Sequence, residues 1–270
     1  MKKTKLRLAT THLDRHGERF ALGALETMVE QSNRQVIPLG SEHDPRIPPL
    51  GRVIKTELIE LEDGEFAVEG IAEIFDEDFE NLTDTGNREI PVRKYKKGTF
   101  KVVSDRNFRD EESKKDIEDL KSILNNAKTE EEIKKSLDPI SILTIGGAFI
   151  LGGIASGFLG EIGADAYRAL KEKLKDIYKK PAVEGQEKLF TFDTTITSGD
   201  KSVNVEVIIS NPTVDDIQKF FDEGIKQLDQ ILPHHFEDDN GFKRIVFEYK
   251  ADNLEVKFAV LKNGVPVRPK

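Results

Sequence analysis

The sequence predicts a multidomain α+β protein: an N-terminal, mainly β, barrel-like domain, a central apolar helix carrying a glycine zipper, and a C-terminal ββαββ domain. Three observations predict it. Strand-like segments, two of them joined as a hairpin, recur through residues 1–108, and within 182–270 two alternating strands precede, and two further strands follow, a helical pattern. An uncharged run, PISILTIGGAFILGGIASGFLG, fills residues 139–160 of a chain that is 34% charged. Within and just beyond that run Ala148, Gly152, Ser156, Gly160 and Ala164 recur every fourth position, with Gly153 and Gly157 as a second pair beside them.

Composition bounds the function. A chain of 270 residues can bury more than one core, and its net charge of −9 argues against general affinity for nucleic acid. The absence of cysteine excludes a disulfide framework, thiol catalysis and cysteine-based metal sites, and fits a reducing compartment. The first twenty residues, MKKTKLRLATTHLDRHGERF, hold no apolar segment of the signal-peptide kind. A cytoplasmic location is expected, at the inner face of the membrane if the central run meets lipid. No cofactor and no metal are expected.

In the first domain, residues 5–11 read as a strand, 21–31 as a helix with Leu22, Leu25, Met28 and Val29 on one side, and 36–39 as a second strand. Pro45, Pro48 and Pro49 hold the following segment extended. Residues 52–61 and 66–75 form a hairpin in which Asp63-Gly64 predicts a two-residue type I′ turn. Shorter strands are expected at 90–95 and 99–104.

Residues 109–138 read as a charged helical connector, with Ile117, Leu120, Ile123 and Leu124 on one helix and a capping box at Thr129–Glu132 opening a second. At about 1.5 Å per helical residue, 139–160 is just long enough to cross a hydrocarbon core of about 30 Å. Its small residues, Ala148, Gly152, Gly153, Ser156, Gly157 and Gly160, would let helices approach closely within a membrane or a homo-oligomer. Residues 161–181 form an amphipathic basic helix that either lies on anionic lipid or packs on the C-terminal domain. In 182–270, Phe190, Phe192, Thr194 and Ile196 alternate, as do Val203, Val205, Val207 and Ile209 across a turn at Gly199-Asp200. A helix over 213–232 and strands over 245–250 and 254–260 complete the ββαββ unit.

Of five histidines, His43 has the company a base needs: Glu42 and Asp44 flank it before a proline-held loop. The layout TTHLDRHGERFALGALETMVEQSNRQVIPLGSEHDPRIPPLGRVIKTELIELEDGEFAVEG resembles the N-terminal half of the tailed-phage prohead maturation proteases, relatives of the herpesvirus assemblins. It shares with them an Asp-bearing turn, a short helix, a strand, a His-Asp pair, a Gly-Arg-Val strand and an acidic-Gly hairpin, over about residues 10–75. The resemblance implies a small, mostly β serine protease with its histidine at His43. The Gly-Leu-Ser segment that bears the nucleophile in that family is not present, and by position the nearest candidate is Ser104 in FKVVSDRNF.

Three functions follow. The first is a prohead-protease-like serine endopeptidase, active on a protein or on itself, or inactive, fused to a membrane-associating or self-assembling zipper. His43 would be its base, Ser104 its nucleophile and Asp44 or Glu42 an orienting group. The second is a non-enzymatic effector that oligomerises and permeabilises a membrane. The third is a phage-derived structural or assembly protein that forms a homo-oligomer.

Overall fold

The computed structural model of the chain describes residues 2–13, 19–40, 44–75, 82–105, 108, 110–124, 127–132, 140–180, 186–237 and 241–268. Among these it is a mixed α/β structure with two sheets and five helices, divided into two units. The first unit comprises Met1–Pro91 with Val260–Val267; the second comprises Val92–Ala259 with Arg268–Lys270. The division thus falls at residue 91 and not at the 108 expected from the sequence.

The first unit is built on a four-stranded antiparallel sheet, order β1-β4-β3-β2, from β1 (Lys2–Thr10), β2 (Ile37–Leu39), β3 (Gly51–Glu60) and β4 (Phe66–Ile74). Helix α1 (Leu22–Arg34) covers it, with Leu25 fully buried against Ala9 and Val68. The β3–β4 connection is a three-residue loop in place of the expected type I′ turn. Gly64 N–H donates to Leu61 O (2.9 Å) and Leu61 N–H to Glu65 O (2.7 Å), with Gly64 at φ 81° and Asp63 outside the left-handed region. A type I′ turn needs positive φ at both central residues, so here one glycine at the bulge suffices.

At the centre of this unit Arg52 and Glu73 are buried together, at 1% and 0% side-chain exposure. The guanidinium donates twice to Glu73 Oε2 (3.0 and 2.9 Å), to Thr83 O (2.6 Å) and to Asn263 O (2.7 Å). One side chain therefore ties β3 to β4, to an irregular segment and to a turn 211 residues away in sequence.

The second sheet has eight strands in the order β12-β11-β10-β9-β8-β7-β5-β6, with β12 at Pro266–Val267. Its other strands are β5 (Lys101–Asp105), β6 (Lys128–Glu132), β7 (Ile140–Ile150), β8 (Glu187–Ser198), β9 (Lys201–Ser210), β10 (Phe242–Lys250) and β11 (Asn253–Leu261). Three parallel pairs, β5/β6, β7/β8 and β9/β10, are each joined by a helical crossover, as parallel neighbours require. The crossovers are α2 (Glu111–Ile123), then α3 (Ile154–Ile162) with α4 (Ala164–Lys179), then a continuous helix of α5 (Val214–Lys219), a π-helical turn (Phe220–Gly224) and α6 (Ile225–Glu237). They form one layer, α2 on α4, α4 on α3 and α5, and α3 on α6. Phe149, Phe158, Phe190, Phe192, Phe220 and Phe221 fill the space between that layer and the sheet.

The largest correction concerns the helix expected over 139–160: among its described residues only Ile154–Gly160 is helical, as part of α3. Ile140–Ile150 is strand β7, paired with β8 along its whole length and with β5 over 143–146, and buried on both faces through Gly147. A strand covered on both faces reads as an unbroken apolar run, as a buried helix does. The β-branched residues favour the strand, and Gly146 and Gly147 are accommodated there because the Tyr95 ring fills the space over one and the Phe149 and Phe100 rings the space over the other. Gly152, at φ 74°, turns the chain, and Gly153 precedes α3, whose first amides, Ile154 and Ala155, donate to the Asp229 carboxylate of α6 (2.8 and 3.0 Å). Among the described residues no helix is long and apolar enough to cross a membrane.

Two smaller expectations also change. Thr129–Glu132 opens no helix; it lies in β6, where Lys128 N–H donates to Phe100 O (3.0 Å) and the segment pairs with β5. Residues 90–95 form no strand: Pro91 has no N–H, and Arg93 N–H goes to the Asn204 side chain.

The Arg52–Glu73 pair generates a stability prediction. Burial pushes the Glu73 carboxyl up, but hydrogen bonds from Thr83 and Arg52 outweigh it and hold it below the ordinary 4.5. A depressed carboxyl contributes stability that is present above pH 4.5 and lost as pH falls through the folded value. Arg52→Ala should cost about 3 kcal/mol by leaving the buried Glu73 charge with only the half-exposed Lys3 ammonium at 3.7 Å and Thr83 as partners, and Glu73→Gln should flatten the acid limb of stability below pH 4.5. Urea unfolding as a function of pH checks both.

Candidate functional site

The residues expected to carry peptidase chemistry do not form a described site. Glu42 and His43 lie outside the described residues. Asp44, in the first unit, accepts from its own turn at Arg46 N–H (2.9 Å), and both its oxygens are engaged by the Arg46 guanidinium (2.8–3.1 Å). Ser104 is in the second unit, 9% exposed on β5 and in register with Leu143. Leu143 shares the face of β7 with Phe149, which packs on Phe158 of α3, so Ser104 lies on the helix-covered side. The described histidines of that unit are His234 and His235 on α6, and His235 packs on Phe247 of β10 at 6.3 Å. Strand β10 is four places from β5, about 19 Å at the usual strand spacing of about 4.8 Å. Neither histidine reaches Ser104.

The six residues expected to line one zipper helix are divided by the fold. Ala148 is in β7, Gly152 and Gly153 make the turn, and Ser156, Gly157 and Gly160 are on α3. Gly157 faces inward, where an added Cβ would stand 3.2 Å from the Phe149 ring. Gly152, Ser156, Gly160 and Ala164 are exposed, and a Cβ at Gly160 would meet nothing within 4 Å. Beside them stand two exposed large apolar side chains, Ile150 (59%) and Leu159 (42%). On α3 itself the small residues Ser156 and Gly160 thus face outward together with one apolar knob, Leu159, while Ile150 ends β7 and Ala164 opens α4.

Between α3, α4 and the π-helical turn opens a cleft of about 330 Å³ lined by Phe158, Leu159, Tyr167, Phe221, Asp222 and Lys226, among others. Tyr167 Oη donates to Phe221 O, and Lys171 pairs with Asp222 while lying 5.2 Å from the centre of the Tyr167 ring. Burial and then the Asp222 charge push the Tyr167 hydroxyl up to about 12, so it stays a donor at neutral pH.

The basic helix expected over 161–181 is spoken for. Lys173 meets Asp116 and Asp119, Lys180 meets Glu112 and Asp116, Lys175 meets Glu172, and Arg168 meets Asp165. Leu170, Leu174, Ile177 and Tyr178 are buried. Helix α4 thus packs into its own unit, with several cations satisfied by α2 carboxylates.

On the sheet face away from the helices is a polar network that the sequence reading did not single out. Asp193 (1% exposed) accepts from Arg93 and from Tyr95 Oη (2.7 Å); its cross-strand neighbour Glu206 (6%) accepts from Arg244 (3.0 Å). Asn204 and Thr195 bond to the backbone of Arg93. Gly146 is the socket for Tyr95, because a Cβ there would come within 2.6 Å of the ring. The Asp193 charge and burial hold the Arg93 proton more tightly and less tightly respectively, with the charge prevailing; burial and then Asp193 push the Tyr95 hydroxyl up. The signal lay in Thr191, Asp193 and Thr195, which alternate with the apolar residues of β8. These groups satisfy one another and fasten the irregular 92–96 segment across β7, β8 and β9, which is the work of a brace. Among the described residues no group of three or more histidines and carboxylates is placed to hold a metal.

Ser104 is therefore expected to be inert. A fluorophosphonate probe should label neither wild type nor Ser104→Ala at that position, by peptide mass mapping; stoichiometric labelling at Ser104 would require an activated serine there. No protein-family model, no curated protein and no solved structure matches the chain.

Proposed function

We propose that this chain is a self-assembling protein that acts through association with copies of itself and not through catalysis at Ser104. The observation that carries the reading is the outward patch of α3. Ser156 and Gly160 are exposed one helical turn apart on α3, together with exposed Leu159, in a chain where 91 of 270 residues are charged. A helix face without long side chains lets a second backbone approach closely, and an apolar knob beside it supplies area to bury. Symmetric self-association uses the same patch on both copies, so knob and flat surface need only lie on one face.

In this reading the first unit, with its prohead-protease-like layout, serves as a β scaffold. The resemblance fits a place in an assembly process, as does the net charge of −9, which disfavours nucleic acid as partner.

Gly160→Leu is the discriminating variant, because the position is open in the single chain and the substitution adds bulk only where a second copy would lie. Wild type should sediment as a concentration-dependent oligomer, and Gly160→Leu should shift dissociation to at least about tenfold higher concentration, a change of about 1.4 kcal/mol, with its melting temperature retained. A wild type that stays monomeric at all concentrations, or a variant that assembles equally well, contradicts the proposal.

A further inference from the structure

We infer that two open sheet edges of this chain, basic β1 and acidic β6, pair with each other between copies, β6 of one copy adding to β1 of the next. Strand β1 is outermost in the first sheet and β6 ends the second, so each has a strand neighbour on one side only. Every second residue of an edge strand turns its N–H and C=O outward. Those of β1 take no described residue beyond β4 as backbone partner. Among the described strands β1 is the longest that ends a sheet, with nine residues against three in β2, five in β6 and two in β12. An open edge of that length is a template for strand addition.

The charges select the occupant. Strand β1 contains Lys2, Lys3, Lys5 and Arg7 and no carboxylate, and the side chains of Lys3, Lys5 and Arg7 are 50–69% exposed. Two copies of β1 side by side would set these cations against one another, and like charges directly opposite are destabilising. Lysine on an edge strand guards in this way against pairing with its own kind. It does not guard against an acidic strand, and β6 is one, with glutamate at three of its five residues, Glu130, Glu131 and Glu132. Lys5 and Arg7 reach Glu57 and Glu69 only at 3.4–3.9 Å, so their other donors can serve an incoming carboxylate. Because the two edges differ, the contact is heterologous and propagates from copy to copy. It uses no residue of α3 and does not depend on the association proposed above.

Sedimentation of Gly160→Leu, in which the α3 contact is weakened, reads the edge contact by itself. Its remaining association should be open-ended. Raising salt from about 0.1 to about 1 M shortens the screening length from about 10 to about 3 Å, and should weaken that association at least about fivefold. In the same background Lys2→Glu/Lys5→Glu/Arg7→Glu makes both edges acidic, and Glu130→Lys/Glu132→Lys makes both basic. Neither variant should assemble alone, whereas an equimolar mixture should, because each offers the other an opposite edge; assembly of the mixture also shows that both are folded. A Gly160→Leu protein that stays monomeric, association indifferent to salt, a charge variant that assembles alone, or a mixture of folded variants that does not assemble would each overturn the inference. The salt response needs no charge variant. Failure of these outcomes leaves the α3 contact, read in the wild type, untouched.

Discussion

Strand β7 can be free of charge and rich in glycine only because every side of it is occupied. Its backbone groups pair with β8 over eleven residues and with β5 over four, so a segment that would be costly to bury unpaired is satisfied internally. One face meets the phenylalanine layer under the helices; on the other, Gly146 makes room for Tyr95. Moving the register by one residue would exchange the two faces, turning Phe149 to the side where Tyr95 now lies. The parallel pairing of β7 with β8 demands a crossover, which α3 and α4 provide. The location of the cleft and of the exposed α3 patch follows from that one strand.

The two faces of the second-unit sheet are held by different physics. Under the helices the packing is aromatic and non-directional, with edge-to-face pairs such as Phe158 with Phe100 at 5.3 Å and with Phe192 at 5.5 Å. On the opposite face hydrogen bonds and ion pairs fasten a short irregular segment. A buried polar network of that kind adds specificity more surely than stability, because each group left without its partner carries a desolvation penalty. In the first unit Arg52 has the same character, with four hydrogen bonds converging on one guanidinium.

Much of this was legible where the signal is local. The alternation of Phe190 to Ile196, the Gly199-Asp200 turn and the helix beginning at Thr213 lie on elements that the structure also contains, and each depends on residues within a few positions of one another. The run at 139–160 was misread because an unbroken apolar stretch has no period to separate a twice-covered strand from a buried helix. Only pairing partners far along the chain, Glu187–Ser198 and Lys101–Asp105, decide between them. The same limit hid Asp193 and Glu206, whose burial depends on the 92–96 segment, and the cleft, whose walls come from three separate helices. The one constellation that sequence reasoning ranked highest, His43 with Ser104 and Asp44, joined residues by family likeness, and Asp44 and Ser104 fall in different units.

Amide hydrogen exchange across residues 140–162, at low and high protein concentration, tests most directly whether this segment is a buried strand followed by an exposed association helix. The account predicts slow exchange for Leu143 to Phe149 at both concentrations, and protection of Ser156 to Gly160 that grows with concentration. Rapid exchange through Leu143 to Phe149, or α3 protection that is the same at every concentration, would contradict it.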